Sequence, residues 1–235
     1  MRPPPDAPRA VIGIMAKAPR PGRAKTRLSP AIDPAAAARL AHAFLLDTVT
    51  LVAHVARARG ALLYSPRGAR HVFRRIGPGF LLVPQGPGDL GRRLAAAFDR
   101  LFRRGAGPVI LIGADTPTLP RAVLERALRV LDDPATDVVL GPSEDGGDYL
   151  IGRRAPRAAL FEDVAWSTAS VFSATLARAR AARLRVVRLR RWWDVDTPDD
   201  LARLQRWLAG RSRSTLPATR RALAALAQDA RGSGP

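Results

Sequence analysis

The 235-residue chain has no cysteine. That excludes a disulfide scaffold, a thiolate zinc site and a cysteine nucleophile. Only three histidines occur, His42, His54 and His71, and two of them fall in one helix-like run, so a three-histidine zinc site is not expected. No apolar stretch approaches the ~20 residues of a membrane span. The opening Met-Arg-Pro-Pro-Pro-Asp lacks the apolar core of a secretory signal. A cytoplasmic protein with no transmembrane segment is the resulting expectation. Acids are scarce as well: 20 Asp and Glu stand against 39 Lys and Arg, giving a net charge of +19.

Lysine is almost absent. It supplies two of those 39 basic residues and arginine the other 37. A charge of this size admits a nucleic-acid or anionic-membrane binder. It also admits a GC-rich codon usage that writes basic surface positions as arginine, and the heavy use of alanine favours this second explanation. The arginines are spread along the chain, and the densest run, 178–191, keeps an amphipathic pattern. Both lysines, Lys17 and Lys25, fall within one nine-residue window. Chance clustering explains that, and so does a need for a compact ammonium that the planar guanidinium cannot replace.

What is present is a regular alternation of strand-like and helix-like segments. Residues 10–16 read as a buried strand, because their apolar residues run without interruption. A loop with three prolines before Asp33 follows. Helical spacing of Leu40, Phe44, Leu51 and Val55 predicts a helix over 34–58. Strands are expected at 61–65, 80–84, 109–115, 137–141, 148–153 and 184–189, with helices at 69–76, 88–104, 120–131, 168–183 and 198–209 between or after them. Such alternation predicts an α/β fold with a mostly parallel sheet. No internal repeat is visible. The simplest division is a disordered stretch over 1–9, one domain over 10–209, and an appendage over 210–235 with a possible helix at 216–229.

Ligands in open α/β sheets bind beyond the carboxyl ends of the strands, so the segments after each strand carry the chemistry. The first is Lys17-Ala-Pro-Arg-Pro-Gly-Arg-Ala-Lys25-Thr-Arg27-Leu28, with five cations, stiffening prolines and Gly22 for close backbone approach. This composition suits a phosphate chain, although Walker A spacing is absent. The 109–115 strand ends in Asp115, either a cap for the next helix or a ligand for a divalent cation. The segment Trp192-Trp193-Asp194-Val195-Asp196-Thr197-Pro198 puts Asp194 and Asp196 on one side if it is extended. Thr197 and Pro198 read as the cap and first position of the next helix, which leaves the two aspartates for another role. The segment Gly141-Pro142-Ser143-Glu144-Asp145-Gly146-Gly147-Asp148-Tyr149 is a turn in which Asp145 is placed to bind a hydroxyl or act as a base.

Taken in order, these pieces resemble a known bacterial family. The resemblance rests on 16–22 with Lys25-Thr26-Arg27-Leu28, on Gln85-Gly86 with 88–94, and on Gly113-Ala114-Asp115-Thr116-Pro117. It continues through Gly141–Gly147, Trp166-Ser167-Thr168 and 194–198. The chain looks like the GT-A-like transferases described as arsenosugar-biosynthesis or selenodomain-associated glycosyltransferases. More distantly it is similar to the phosphoenolpyruvate or phospholactate guanylyltransferases. The resemblance spans about 10–209 and implies a Rossmann-like GT-A fold, a three-layer α/β/α arrangement of the nucleotide-diphospho-sugar transferases. It also implies a nucleotide over the first-strand loop and a divalent metal, Mg²⁺ or Mn²⁺. Asp115, Asp194 and Asp196 become candidate metal ligands. Lys17, Arg20, Gly22, Lys25, Arg27, Gln85, Asp89 and Arg93 become candidates for the nucleotide and its phosphates. Asp145 and Gly146, Gly147, Trp166, Ser167 and Thr168 shape the acceptor side, and Asp115, Asp145 and Lys25 are the candidate catalytic residues. Two positions depart from the family: Thr116 stands where cysteine is frequent, and Asp148 where an aromatic or small residue is usual.

The expected activity is metal-dependent glycosyl transfer from a nucleotide diphospho-sugar to a small-molecule acceptor. Joining a nucleoside triphosphate to a small phosphorylated acid or sugar needs almost the same parts and is the alternative. A non-enzymatic nucleic-acid binder is a second alternative, but it leaves the acids at the strand ends unexplained. The expected partners are therefore a nucleotide and a small acceptor, with no obligatory nucleic acid.

Overall fold

A computed structural model describes residues 9–29, 31–156, 158–161, 166 and 170–232. Seven strands form one sheet in the order β3-β2-β1-β4-β6-β5-β7. They are β1 (Ala10–Lys17), β2 (Ala58–Ser65), β3 (Leu81–Pro84), β4 (Val109–Gly113), β5 (Val138–Pro142), β6 (Asp148–Arg153) and β7 (Val186–Arg188). All neighbours are parallel except β6, which runs antiparallel to both β4 and β5. The Rossmann-like α/β class expected from the sequence is the class observed.

The pleat sorts side chains strictly. Ile12, Ile14, Leu62, Ile110, Ile112 and Leu150 face one side, under α1 (Pro34–Ala53), α2 (Arg70–Ile76) and α4 (Arg121–Asp132). Val11, Leu63, Val109, Leu111, Leu140 and Ile151 face the other, under α3 (Leu90–Phe102) and α5 (Val171–Ala181). This period-2 division makes both faces of the sheet core, which is why the strands read as apolar runs rather than alternations. A third cluster joins Leu28, Leu40 and Phe44 to Trp193, Val195 and the apolar stripe of α6 (Pro198–Ala209), with Leu223 and Leu226 of α7 (Pro217–Gly232) laid against it.

The chain departs from the sequence expectations at element ends. α1 ends at Ala53: the Val55 N–H turns back to the Val52 carbonyl instead of continuing the helical ladder, and Ala58 already pairs with Ala10. Apolar Val55, counted toward the helix, is instead a buried link residue. β2 starts before Ala61, through Arg59 and Gly60, whose polarity hid it. The expected start of α5 at Thr168 lies outside the described residues, as does the stretch 1–8. At 20 residues, α1 is long and apolar enough to cross a membrane by length and composition. The sequence shows no unbroken apolar run there because Arg39, His42, Asp47, Thr48 and Thr50 interrupt its apolar residues. Its buried side packs on the sheet and on the α6–α7 cluster.

The order places β1 at the point where the chain reverses. It runs β1, β2, β3 outward, then returns to β4 on the other flank of β1. Crevices form at such reversals beyond the strand carboxyl ends. Here that crevice lies between the 17–28 loop and Asp115.

Candidate functional site

Lys25 holds the crevice together. Its residue has a left-handed backbone, φ 49° and ψ 41°, at the head of a short 3₁₀ turn over Thr26–Leu28. Its Nζ lies 2.5 Å from Asp115 Oδ1 and 2.7 Å from Asp196 Oδ1. It also donates to the Val195 carbonyl at 2.7 Å. Three partners use the three donors of an ammonium. The Lys25 side chain is only 4% exposed, whereas Asp115 is 55% and Asp196 33% exposed. Burial alone would lower the Lys25 pKa, but the two carboxylates outweigh it and the net shift is upward. The loop after β4 and the segment before α6 are pinned to each other, since the Val195 N–H donates to the Asp115 carbonyl at 2.9 Å.

The other aspartate of the pair faces elsewhere. Asp194 accepts from the Thr116 hydroxyl at 2.9 Å and from the Ser143 hydroxyl. Burial pushes its carboxyl up to about 6; the two hydroxyls pull it back, and Asp145 and Asp115 push it further up. Among the described residues no three His, Asp or Glu side chains converge into a ready-made metal site. Two do face one cation, the ammonium of Lys25. Magnesium commonly takes one or two carboxylates and completes its shell with phosphate oxygens and water. Asp115 and Asp196 therefore fit a divalent ion in the place where a stand-in cation now sits, and Asp194 is oriented to its hydroxyl partners instead. Asp115 does not cap the following helix: α4 begins at Arg121 with Pro120 as its N-cap. Thr197, in contrast, caps α6 in a full capping box with Asp200.

The cleft beside this cation has a volume of about 270 Å³ and is lined by Lys17, Arg23, Lys25, Arg27, Asp115 and Asp196, with apolar walls from Ala41 and Leu45 of α1. Arg20 lies in the turn that Gly22 closes at φ 67°. Gln85 is held away from ligand duty on its amide side, donating to the Ala16 and Leu63 carbonyls at 3.2 and 2.6 Å and so tying β1 and β2 together. Asp89 caps α3 through the Arg92 N–H, and Arg93 Nε donates to the Gly88 carbonyl.

Gln85 and Arg93 instead line a second cavity of about 850 Å³, beyond β2 and β3, together with Arg67, Arg100, Arg103 and Arg104. Among the described residues, no acidic one lines it. Sequence reading missed it, because Arg93 and Arg100 come from α3 and Arg67 from a loop more than twenty residues earlier. Elsewhere arginine is engaged within the protein: Arg190, Arg203 and Arg211 lie over Trp192, Trp193 and Trp207 at 4.4, 4.4 and 3.7 Å.

The turn between β5 and β6 carries Asp145. Gly146 has φ 90°, a conformation open to glycine and strained for other residues. Asp145 Oδ1 accepts the Gly147 N–H at 3.0 Å, and the Gly146 carbonyl accepts the Phe172 N–H at 2.9 Å. Asp148, next along, is half-buried, and its two carboxylate oxygens are buried with no hydrogen-bond partner among the described residues. Burial pushes its pKa up to about 7; the nearby Thr175 hydroxyl pulls it back, and Asp145 adds to the rise. Trp166 packs on α3: a Cβ on Gly91 would lie 2.0 Å from the indole Nε1. Ser167 and Thr168 lie outside the described residues.

Comparison with known proteins places the chain. Residues 48–168, just over half its length, match the family described as an uncharacterized protein conserved in bacteria, DUF2064. The chain belongs to this family. No curated protein matches it. Among solved structures, it is 33% identical to a protein of Desulfovibrio desulfuricans G20 with the provisional description of nucleotide-diphospho-sugar transferase, over 93% of this chain and 97% of that one, with a TM-score of 0.84. CMP:2-keto-3-deoxy-manno-octonic acid synthetase complexed with CTP is 15% identical over 86% of this chain and 98% of that one, TM-score 0.58. The 4-diphosphocytidyl-2C-methyl-D-erythritol synthase of Anaerococcus prevotii DSM 20548 is 10% identical over 87% and 97%, TM-score 0.59. At those identities the last two are likenesses of fold alone.

Proposed function

We propose that this DUF2064 protein is a divalent-metal-dependent transferase that takes a nucleotide diphospho-sugar as donor and a hydroxylated small molecule as acceptor. The observation that carries the reading is the placing of Asp115 and Asp196 around one cation at the β1/β4 reversal, inside a cleft also lined by Lys17, Arg23 and Arg27. The relative from Desulfovibrio desulfuricans, similar over nearly the whole chain, supports the donor class.

In this transfer the bond from the sugar's anomeric carbon to the diphosphate oxygen breaks, and the electron pair leaves with the diphosphate. The acceptor oxygen forms the new bond and gives up its proton. Charge therefore grows on the leaving diphosphate, where fixed cations lower the barrier most. A Mg²⁺ or Mn²⁺ ion on Asp115 and Asp196 would supply Lewis-acid neutralisation of that charge. Lys17, Arg23 and Arg27 hold the phosphates in the cleft, and the apolar wall of Ala41 and Leu45 limits water there. Asp145, held on its turn through one oxygen, offers the other to the acceptor hydroxyl proton.

Nucleotidyl transfer is the second reading, favoured by the number of cations around so small a cleft, which suits a triphosphate. There the α-phosphorus accepts the acceptor oxygen and pyrophosphate leaves. A thermal-shift screen separates the two: UDP- and GDP-sugars against the four nucleoside triphosphates, each with and without Mg²⁺ or Mn²⁺. A ligand at 100 times its Kd adds about 2.7 kcal/mol. A metal-dependent shift with a nucleotide sugar supports glycosyl transfer, and a shift with one triphosphate alone moves the assignment to nucleotidyl transfer. No metal-dependent shift with any of them overturns both.

A further inference from the structure

Lys25 is a phosphate-facing residue by its place in the loop, yet its ammonium is spoken for. All three of its donors go to Asp115, Asp196 and the Val195 carbonyl. It stands where the metal of the proposed function would stand, between the same two carboxylate oxygens. We infer that Lys25 is an exchangeable counter-ion: the divalent cation displaces its ammonium from Asp115 and Asp196, and the freed ammonium turns into the phosphate cleft. The inference rests on the metal-dependent reading above and adds a coupling between metal and phosphate that this reading does not require.

Electrostatics makes the two occupancies exclusive. Two carboxylates and one ammonium leave a local charge of about −1, and a divalent ion placed beside the ammonium, itself 4% exposed, would face a like charge within contact distance. The facing oxygens, Asp115 Oδ1 and Asp196 Oδ1, are also the atoms the ammonium occupies. The side chain is built to move. Its four-carbon stem carries a compact charge that binds one oxygen as well as another, whereas an arginine fork would be fixed by its geometry. The cleft that contains both carboxylates also contains Lys25 itself, Lys17, Arg23 and Arg27, so the route from carboxylate to phosphate stays within one cavity. This accounts for a lysine here in a chain with one other lysine and 37 arginines.

Two measurements test the exchange, both without turnover. Mn²⁺ affinity is read by EPR for the wild-type protein, Lys25→Met and Asp115→Asn, in the absence of nucleotide. The expected result is binding about tenfold or more tighter in Lys25→Met and weaker in Asp115→Asn. Equal or weaker binding in Lys25→Met overturns the exchange and leaves the metal reading intact. Mn²⁺ binding that is absent in all three, or indifferent to Asp115, removes both. The second measurement needs no substitution. With only two lysines, ¹³C,¹⁵N-lysine labelling gives two side-chain signals, assigned by Lys17→Arg. On adding Mg²⁺ the Lys25 signal is expected to leave its buried, ion-paired position while the Lys17 signal moves little. A Lys25 signal that stays in place as Mg²⁺ binds overturns displacement, even if Lys25→Met tightens Mn²⁺ through simple loss of a nearby charge.

Discussion

The carboxylate of Asp47, buried on α1, caps α7 from 171 residues away: its two oxygens accept the Ala218 and Thr219 N–H groups at 3.1 and 2.8 Å. The first turn of a helix presents N–H groups with no partner of their own, and the helix dipole favours an anion there. The carboxyl-terminal helix is therefore tied to the core through a buried charge.

Asp47→Ala removes that cap and leaves two buried donors unpaired, at a cost of about 1–3 kcal/mol. Urea unfolding should register the loss. Native-state hydrogen exchange should localise it, with faster exchange across 217–232 and little change in β1 and β4. Unchanged exchange in α7 would show that Leu223 and Leu226 hold the helix without the cap.

Gly91 and Trp166 share one contact that no larger residue can enter. In an exposed helix Gly→Ala is favourable by about 1 kcal/mol. Gly91→Ala is expected to go the other way, by about 1–3 kcal/mol, because overpacking outweighs propensity. Adding Trp166→Ala should recover part of the loss, since the clash disappears. A double-mutant cycle by chemical denaturation measures that coupling, and strict additivity would contradict the contact.

Asp148 makes stability fall as pH rises. Its pKa of about 7 lies above the ordinary 3.8, so the folded state holds the proton more tightly than the unfolded chain. Folding is thus unpenalised below about pH 4, loses stability between about 4 and 7, and stays at the lower level above, by a few kcal/mol at most. Asp194, pushed up to about 6, acts in the same direction over a narrower range. Asp148→Asn removes the ionisation and should raise Tm at pH 8 with little effect at pH 4. A Tm gain independent of pH would contradict this origin.

The acidic set divides in two. Asp194→Asn keeps one oxygen to accept from Thr116 or Ser143, the other hydroxyl turning to accept from the new amide N–H, and should leave Mn²⁺ affinity within about threefold. Asp196→Asn removes a carboxylate facing the cation and should weaken it about tenfold or more. Isothermal titration reads both, and equal losses would restore Asp194 as a ligand.

Much of this is legible in the sequence. Continuous apolar runs gave buried parallel strands, and the rule for strand ends led to Lys17–Leu28, Asp115 and the 194–196 segment, which the fold does bring together. Roles were less legible than places. Asp194 and Asp196 look equivalent by spacing, yet Thr116 and Ser143, distant in sequence, take one and Lys25 takes the other. Gln85 and Asp89 sit where a nucleotide is expected, but carbonyls of β1 and β2 claim the Gln85 amide and the Arg92 N–H claims the Asp89 carboxylate. The arginine-lined cavity depends on α3 lying beside the β2 and β3 ends, a tertiary fact with no local signature.

The central claim is that Asp115 and Asp196 couple a divalent ion to a nucleotide's phosphates. The most direct measurement is the affinity of UDP, GDP, ADP and CDP for the wild-type protein and for Asp115→Asn, each with Mn²⁺ and with EDTA. The account predicts at least one nucleotide binding about tenfold or more tighter with Mn²⁺ in the wild type and no such gain in Asp115→Asn. An equal gain in both proteins, or none in the wild type, would contradict it.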